Sequence, residues 1–437
     1  MSTQRWPAAV LGTCLLLAQA ATSAQRHAAQ TVATPAAAPA TAPSAAPAAA
    51  PPVAASPQAT AIERGKYLAD AGNCFSCHTR PGGLPFSGGV PFETPVGTIY
   101  STNITPDAQT GIGTWQVADL LRAMHEGIAR DGSHLFPAFP YTSFTKVSDA
   151  DVADIYAYLR SLRPVRATPA ANGALFSMRW PVAIWNQLFF KEGRFVPNPA
   201  QSAQWNRGAY LIEGLGHCDA CHTPRDALLA EQTGKAYQGG PLQSEVQKGK
   251  VRTWFAVDLT SAKQGLAAWS IADLTRYFQT GFCSRAGAFG PMNEVIVNSL
   301  KRLTREDLHA MALYVKGLEG EAYAGETVSP ALAATGAAIY KDRCEKCHGA
   351  SGRGGFFSGP PLAGSAIVQG ANPASLINAL IYGPSLAPEV SFGAWEKMEA
   401  YGEVLDDAQL AAVSNFVRGS WGNRGSPVSP AAVKAQR

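Results

Sequence analysis

The chain has 437 residues, enough for two to four domains. Its formal net charge of +4 is too small to point to nucleic acid as a partner. Of eight cysteines, six fall into pairs of identical spacing, Cys14 lies near the N-terminus and Cys283 stands alone, so it has no partner for a structural disulfide in the mature chain and reads as a small buried hydrophobe.

Arg5 is followed by an apolar run from Ala8 to Ala21 and by small-residue sites ending at Ala20 or Ala24. This outline predicts a secretory signal peptide over 1–24, its apolar run too short for a membrane span. A lipoprotein reading of Leu11-Gly12-Thr13-Cys14 fits poorly, because too little apolar sequence precedes the cysteine. From 25 to 59 the chain is almost wholly Ala, Pro, Thr and Ser. Such a stretch buries too little apolar surface to offset its ordering entropy, and reads as a disordered, proline-stiffened tether.

From Ile62 onward one succession recurs: a short helix with a glycine and a tyrosine, a cysteine motif, a middle helix, and a closing helix behind an acidic turn. The glycine and tyrosine are Gly65 and Tyr67, then Gly208 and Tyr210, then Gly336 and Tyr340. A glycine there lets another helix come close. The middle helices run from Asp119-Leu120 to Gly127, Asp273-Leu274 to Gly281 and Ser375-Leu376 to Gly383. In that register Met124, Phe278 and Leu380 share one position, which marks it as an apolar packing site. The closing helices are predicted at Asp149 to Leu162, Glu306 to Leu318 and Asp406 to Arg418. The expected organisation is mainly α, with domains at 60–170, 200–322 and 328–423, a connecting strap at 171–199 and a short tail at 424–437.

The cysteine motifs are Cys74-Phe75-Ser76-Cys77-His78, Cys218-Asp219-Ala220-Cys221-His222 and Cys344-Glu345-Lys346-Cys347-His348. Cys-x-x-Cys-His is the attachment pattern of c-type haem: the thiols add across the porphyrin vinyl groups and the adjoining histidine ligates the iron. Zinc knuckles would bring four ligands close together in sequence, and a thioredoxin-like pair would open a helix in a βαβ unit; neither pattern is present. The motifs therefore imply three haem c groups. Their propionates would add up to about −6 of charge, which removes any partner signal from the basic balance. Haem attachment of this kind takes place outside the cytoplasm, in keeping with the leader.

An electron carrier usually has thioether sulfur opposite the histidine. Met292 follows Gly281 by eleven residues and Met398 follows Gly383 by fifteen, each just ahead of a closing helix, and both read as axial ligands. The first domain departs from this: twelve residues after Gly127 stands Phe139, which cannot coordinate iron. Its haem is expected to be five-coordinate or to use another ligand, with His134 and Met178 as candidates and Met124 behind them.

These motifs, with Thr94 to Asp107, Gly111-Ile112-Gly113-Thr114-Trp115, Asp131-Gly132-Ser133-His134-Leu135, Asn206 to Leu211, Gly216-His217-Cys218, Gly290-Pro291-Met292 and Ser420-Trp421-Gly422-Asn423, resemble the three-haem cytochrome c subunits of bacterial membrane-associated dehydrogenases. Relatives of that kind serve alcohol, gluconate, sorbitol, fructose or aldehyde oxidation, and the likeness runs from Ile62 to Asn423. Many carry Met where this chain has Phe139, and some continue into an amphipathic membrane-binding tail, which the Pro/Ser/Ala segment after Gly422 does not resemble.

The resemblance implies three tandem class I-type cytochrome c domains and a periplasmic electron relay at the outer face of the cytoplasmic membrane. A separate catalytic subunit of flavin, quinone-cofactor or molybdenum type would supply the electrons, and ubiquinone or a terminal oxidase would take them. The chain itself shows no dinucleotide fingerprint, since Gly352-Arg353-Gly354-Gly355 lacks the spacing, and no acid/base or nucleophile constellation. The aromatic stretch from Leu175 to Phe190, with Trp180, Trp185, Phe189 and Phe190, reads first as a strap buried between domains and second as a membrane-facing or quinone-facing patch. An independent multihaem shuttle and a haem enzyme or gas binder at the first site are the alternatives.

Overall fold

Close approach of helices at glycine organises this chain. In the computed structural model, which describes residues 57–94, 97–173, 178–247, 250–322, 325–355, 358–384 and 395–437, a Cβ on Gly65 would lie 1.9 Å from the Asp154 carbonyl oxygen. One on Gly208 would lie 2.0 Å from that of Ala310, and one on Gly336 2.1 Å from that of Ala412. Each opening helix thus crosses its closing helix with backbone against backbone. The opening helices are Pro57–Ala71, Ala203–Tyr210 and Ala337–Arg343; the closing helices are Asp149–Ser161, Arg305–Lys316 and Asp407–Gly419. The first begins three residues inside the stretch expected as tether, whose other residues, like the leader, lie outside the described residues.

The helix ends follow from local chemistry. Ser148, Thr304 and Asp406 each accept the backbone N–H of the residue three places on, capping the three closing helices. The middle helices are Val117–Glu126, Ile271–Thr280 and Ala374–Tyr382. Gly127 and Gly281 end the first two at φ 66° and 73°, a left-handed conformation that a side chain resists. Two antiparallel hairpins, Pro91–Thr94 with Gly97–Tyr100 and Gly240–Gln247 with Lys250–Ala256, add β-structure to the expected helices. The first has strands of four residues, too short for alternation to reveal.

The described residues form one compact unit, but its core is in two parts. One cluster runs without a break through the first two helical segments, from Leu68 and Met124 to Leu211, Ile212, Leu215, Leu308 and Met311. The second cluster belongs to the third segment. Between the first two segments the polar contacts are reciprocal. Tyr67 of the first opening helix donates to Asp307 of the second closing helix at 2.6 Å and accepts the Thr304 amide. Tyr210 of the second opening helix donates to Asp151 of the first closing helix and accepts the Ser148 amide. Each tyrosine therefore latches the N-terminus of the other segment's closing helix.

Removing either hydroxyl tests this latch. Tyr67→Phe and Tyr210→Phe are each expected to cost about 1–2 kcal/mol, read from the shift of the denaturation midpoint. Burial pushes the Asp307 carboxyl up, yet bonds from Arg207 and Tyr67 outweigh it and hold the pKa below the ordinary 3.8. A carboxylate with a depressed pKa stabilises above its unfolded value and loses that contribution as pH falls through the folded one. The Tyr67→Phe deficit should accordingly shrink below pH 3.8.

The third segment attaches to the second hairpin by side chains that act as a further strand. Ser375 Oγ accepts the Phe255 amide and donates to its carbonyl, both at 2.9 Å, and Asn378 donates to the Thr253 carbonyl at 2.8 Å. The Arg252 guanidinium stacks 3.4 Å from the Tyr382 ring centroid. The short tail after Asn423 folds back: Val428 and Val433 are buried and Arg437 donates to Asp407 and to the Gly402 and Leu405 carbonyls.

Candidate haem-attachment sites

Each Cys-x-x-Cys-His motif contains a single helical turn, Cys74–His78, Asp219–His222 and Glu345–His348, the last two starting just after Cys218 and Cys344. A chain reversal precedes the first two: Asn73 and His217 sit at φ 48° and 36°, so the turn starts at a fixed angle to its opening helix. His78 Nδ1 donates to the Thr102 carbonyl at 2.7 Å, His222 Nδ1 to that of Val257 at 2.7 Å and His348 Nδ1 to that of Pro360 at 2.9 Å. That bond fixes the tautomer and ring direction and leaves Nε2 with its lone pair. Burial pulls all three imidazoles below their ordinary pKa, against the raising effect of the carbonyl bond, so each is neutral at pH 7.

The paired thiols are free of disulfides. Burial pushes Cys74 up to about 12 and Cys344 up to about 11, and raises Cys218 and Cys221 as well. Burial, then the neighbouring Cys221 and Glu294, push Cys77 up to about 12. A raised pKa holds these five thiols protonated at neutral pH. Among the described residues no three His, Cys, Asp or Glu converge as a metal-holding group, which leaves the pairs without a zinc-type ligand set. Side-by-side thiols and an oriented, neutral imidazole fit c-type haem, whose iron supplies a one-electron couple when bound.

The first two motifs face one another. Asn298 donates to Ser76 inside the first motif at 3.0 Å, and Ser143 donates to Asp219 inside the second at 2.9 Å. His217, which precedes Cys218, places Nε2 3.4 Å from the carbonyl of Gly72, two residues before Cys74.

The sequence-predicted methionines occupy different settings. Met292 lies in the first turn of helix Pro291–Asn298, half-buried against the shared core. Its turn rests on Trp254: a Cβ on Gly290 would come within 2.6 Å of that ring, whose strand leads to Val257, the partner of His222. Met398 lies between two contacts to the third motif, Glu396 at 3.9 Å from Cys347 Sγ and Tyr401 donating to the Arg343 carbonyl at 3.1 Å. Phe139 packs 5.3 Å from the Phe144 ring. Met124 is 5% exposed in the core, Met178 is exposed, and His134 turns Nδ1 toward Asn186 at 3.4 Å.

The acceptors Thr102, Val257 and Pro360 escaped the sequence reading because they act through backbone carbonyls. One signal was available for two of them: Thr102 precedes Asn103 and Val257 precedes Asp258, polar residues that organise equivalent loops by bonding Thr105 and Thr260.

Comparison with known proteins agrees with this geometry. The cytochrome c family profile matches residues 62–163, and that of cytochrome c oxidase, cbb3-type, subunit III matches residues 331–417. The gluconate 2-dehydrogenase cytochrome c subunit of Pantoea cypripedii is 39% identical over 83% of this chain and 86% of that protein. The fructose dehydrogenase cytochrome subunit of Gluconobacter japonicus is 34% identical over 88% and 84%. A nicotinate dehydrogenase subunit of Pseudomonas putida is 41% identical over 82% of this chain, which spans only 30% of that longer protein. With oriented histidines beside paired thiols and this extent of similarity, the chain belongs to the cytochrome c subunits of quinone-linked dehydrogenases.

Proposed function

We propose that the chain is an exported relay carrying three haem c groups, held by Cys74 and Cys77, Cys218 and Cys221, and Cys344 and Cys347. His78, His222 and His348 are the proximal iron ligands, and Met292 and Met398 the opposite ligands at the second and third sites. The relay takes electrons from a catalytic dehydrogenase subunit of flavin, quinone-cofactor or molybdenum type. It delivers them to ubiquinone or a terminal oxidase from the periplasmic face of the cytoplasmic membrane. The observation that carries this reading is the histidine-to-carbonyl bond, which recurs at the middle motif, between the two profile-matched stretches. Intact-mass and peptide mass spectrometry of the exported protein should find haem on all three cysteine pairs. Absence of the adduct from the Cys218–Cys221 peptide would sink the three-site reading, and purification from native membranes without a dehydrogenase subunit would sink the partnership. Phe139 favours one further reading, a ligand-binding first site, which requires both carbon monoxide binding there and peroxide turnover.

A further inference from the structure

The strap helix Trp180–Phe189 is held from one side only. Val182 is buried, the Trp185 indole N–H donates to the Leu228 carbonyl at 3.0 Å, and Asn186 accepts the Tyr141 hydroxyl at 2.5 Å. The other side points away. Trp180, Ile184 and Leu188, one helical turn apart, are 64%, 50% and 67% exposed, and Phe189 is exposed beside them. The Leu228-Leu229 loop adjoins the helix through the Trp185 bond and adds two more exposed apolar side chains. Leu229 holds φ 63°, a strained conformation for leucine that the loop maintains with its side chain in solvent.

We propose that this ridge is a membrane-docking element that lies in the headgroup and upper acyl region of an anionic phospholipid bilayer. Between Trp180 and Phe190 the helix carries no charge, whereas Arg179 and Lys191 bracket it, an order that places cations at the headgroups and apolar side chains below; Arg194 beyond them is taken up by Asp149 and Glu192. Aromatic residues stand at both ends, as at membrane interfaces. The nearby carboxylates are engaged: Asp226 accepts the Leu228 and Ala230 amides, and Glu192 pairs with Arg194. The loop follows His222 closely in sequence, so docking brings the second attachment site toward the bilayer. That last placement rests on the relay reading; the docking does not.

The test is co-sedimentation of the full haem-loaded chain with phosphatidylethanolamine–phosphatidylglycerol vesicles, beside the triple variant Trp180→Ser, Ile184→Ser, Leu188→Ser. The native chain should sediment with the vesicles and the variant should lose roughly tenfold or more of that binding, with an unchanged haem spectrum. Leu228→Ser alone should show a smaller loss. The proposal is overturned by a native chain that stays in solution, or by a variant that sediments equally well. It is also overturned if the triple substitution dissolves a dimer or releases a dehydrogenase subunit while vesicle binding persists. A native chain that binds vesicles yet carries fewer than three haems would defeat the relay reading and leave the docking intact.

Discussion

On the proposed ligation by Met292 and Met398 at the other two sites, replacing Phe139 with methionine is expected to give the first attachment site a matching thioether. The substituted protein should gain sulfur-to-iron charge-transfer absorbance, raise the midpoint potential of one haem, and lose carbon monoxide binding by the reduced form. Phe139 follows the middle-helix glycine by twelve residues, against eleven and fifteen for the two methionines. Its ring is only half-buried, touching Phe144, and methionine is flexible and of similar volume, so the fold should lose less than about 1.5 kcal/mol. A native protein in which every haem already shows the sulfur signature, or a Phe139→Met protein with unchanged absorption and carbon monoxide binding, refutes the assignment.

Valine at either of two crossing glycines should have the largest effect on stability, and the two should act on different parts of the molecule. A Cβ at Gly208 meets the Ala310 carbonyl oxygen at 2.0 Å, and one at Gly336 meets that of Ala412 at 2.1 Å. Both neighbours are helical backbone, so the helices must separate, at a cost of about 3 kcal/mol or more. Gly208→Val should lower the transition of the core shared by the first two segments, and Gly336→Val that of the third, whose core is separate. Gly193, with open space around its Cβ position, should accept alanine within about 0.5 kcal/mol. Scanning calorimetry of the three proteins separates these outcomes, and equal melting of Gly208→Val and native protein would remove the close-crossing account.

The features that were legible in the sequence are those set by local spacing. The glycines of the opening helices, the acidic first turns of the closing helices and the three cysteine motifs all act within a few residues of themselves, and Cys283 is fully buried as its isolation suggested. What the sequence hid depends on which segment meets which. Tyr67 and Asp307 read separately as a helix tyrosine and a helix-start acid, and nothing in either stretch says that they bond across the segments. Ser375 and Asn378 read as ordinary middle-helix residues until the second hairpin lies beside them. The strap shows the same limit. Its aromatic content pointed to burial, but which side is covered depends on Tyr141 and Leu228, on the two segments that it joins.

The latch between Tyr67 and Asp307 spans 240 residues, and this has a bearing on biogenesis. A polypeptide crossing a membrane from its N-terminus presents Tyr67 on the far side before Asp307 has crossed. Under the proposed export and haem attachment, the first half would stay ajar during that interval, with Cys74 and Cys77 within reach of ligation machinery, and late arrival of the second half would shut the door on a prosthetic group already in place.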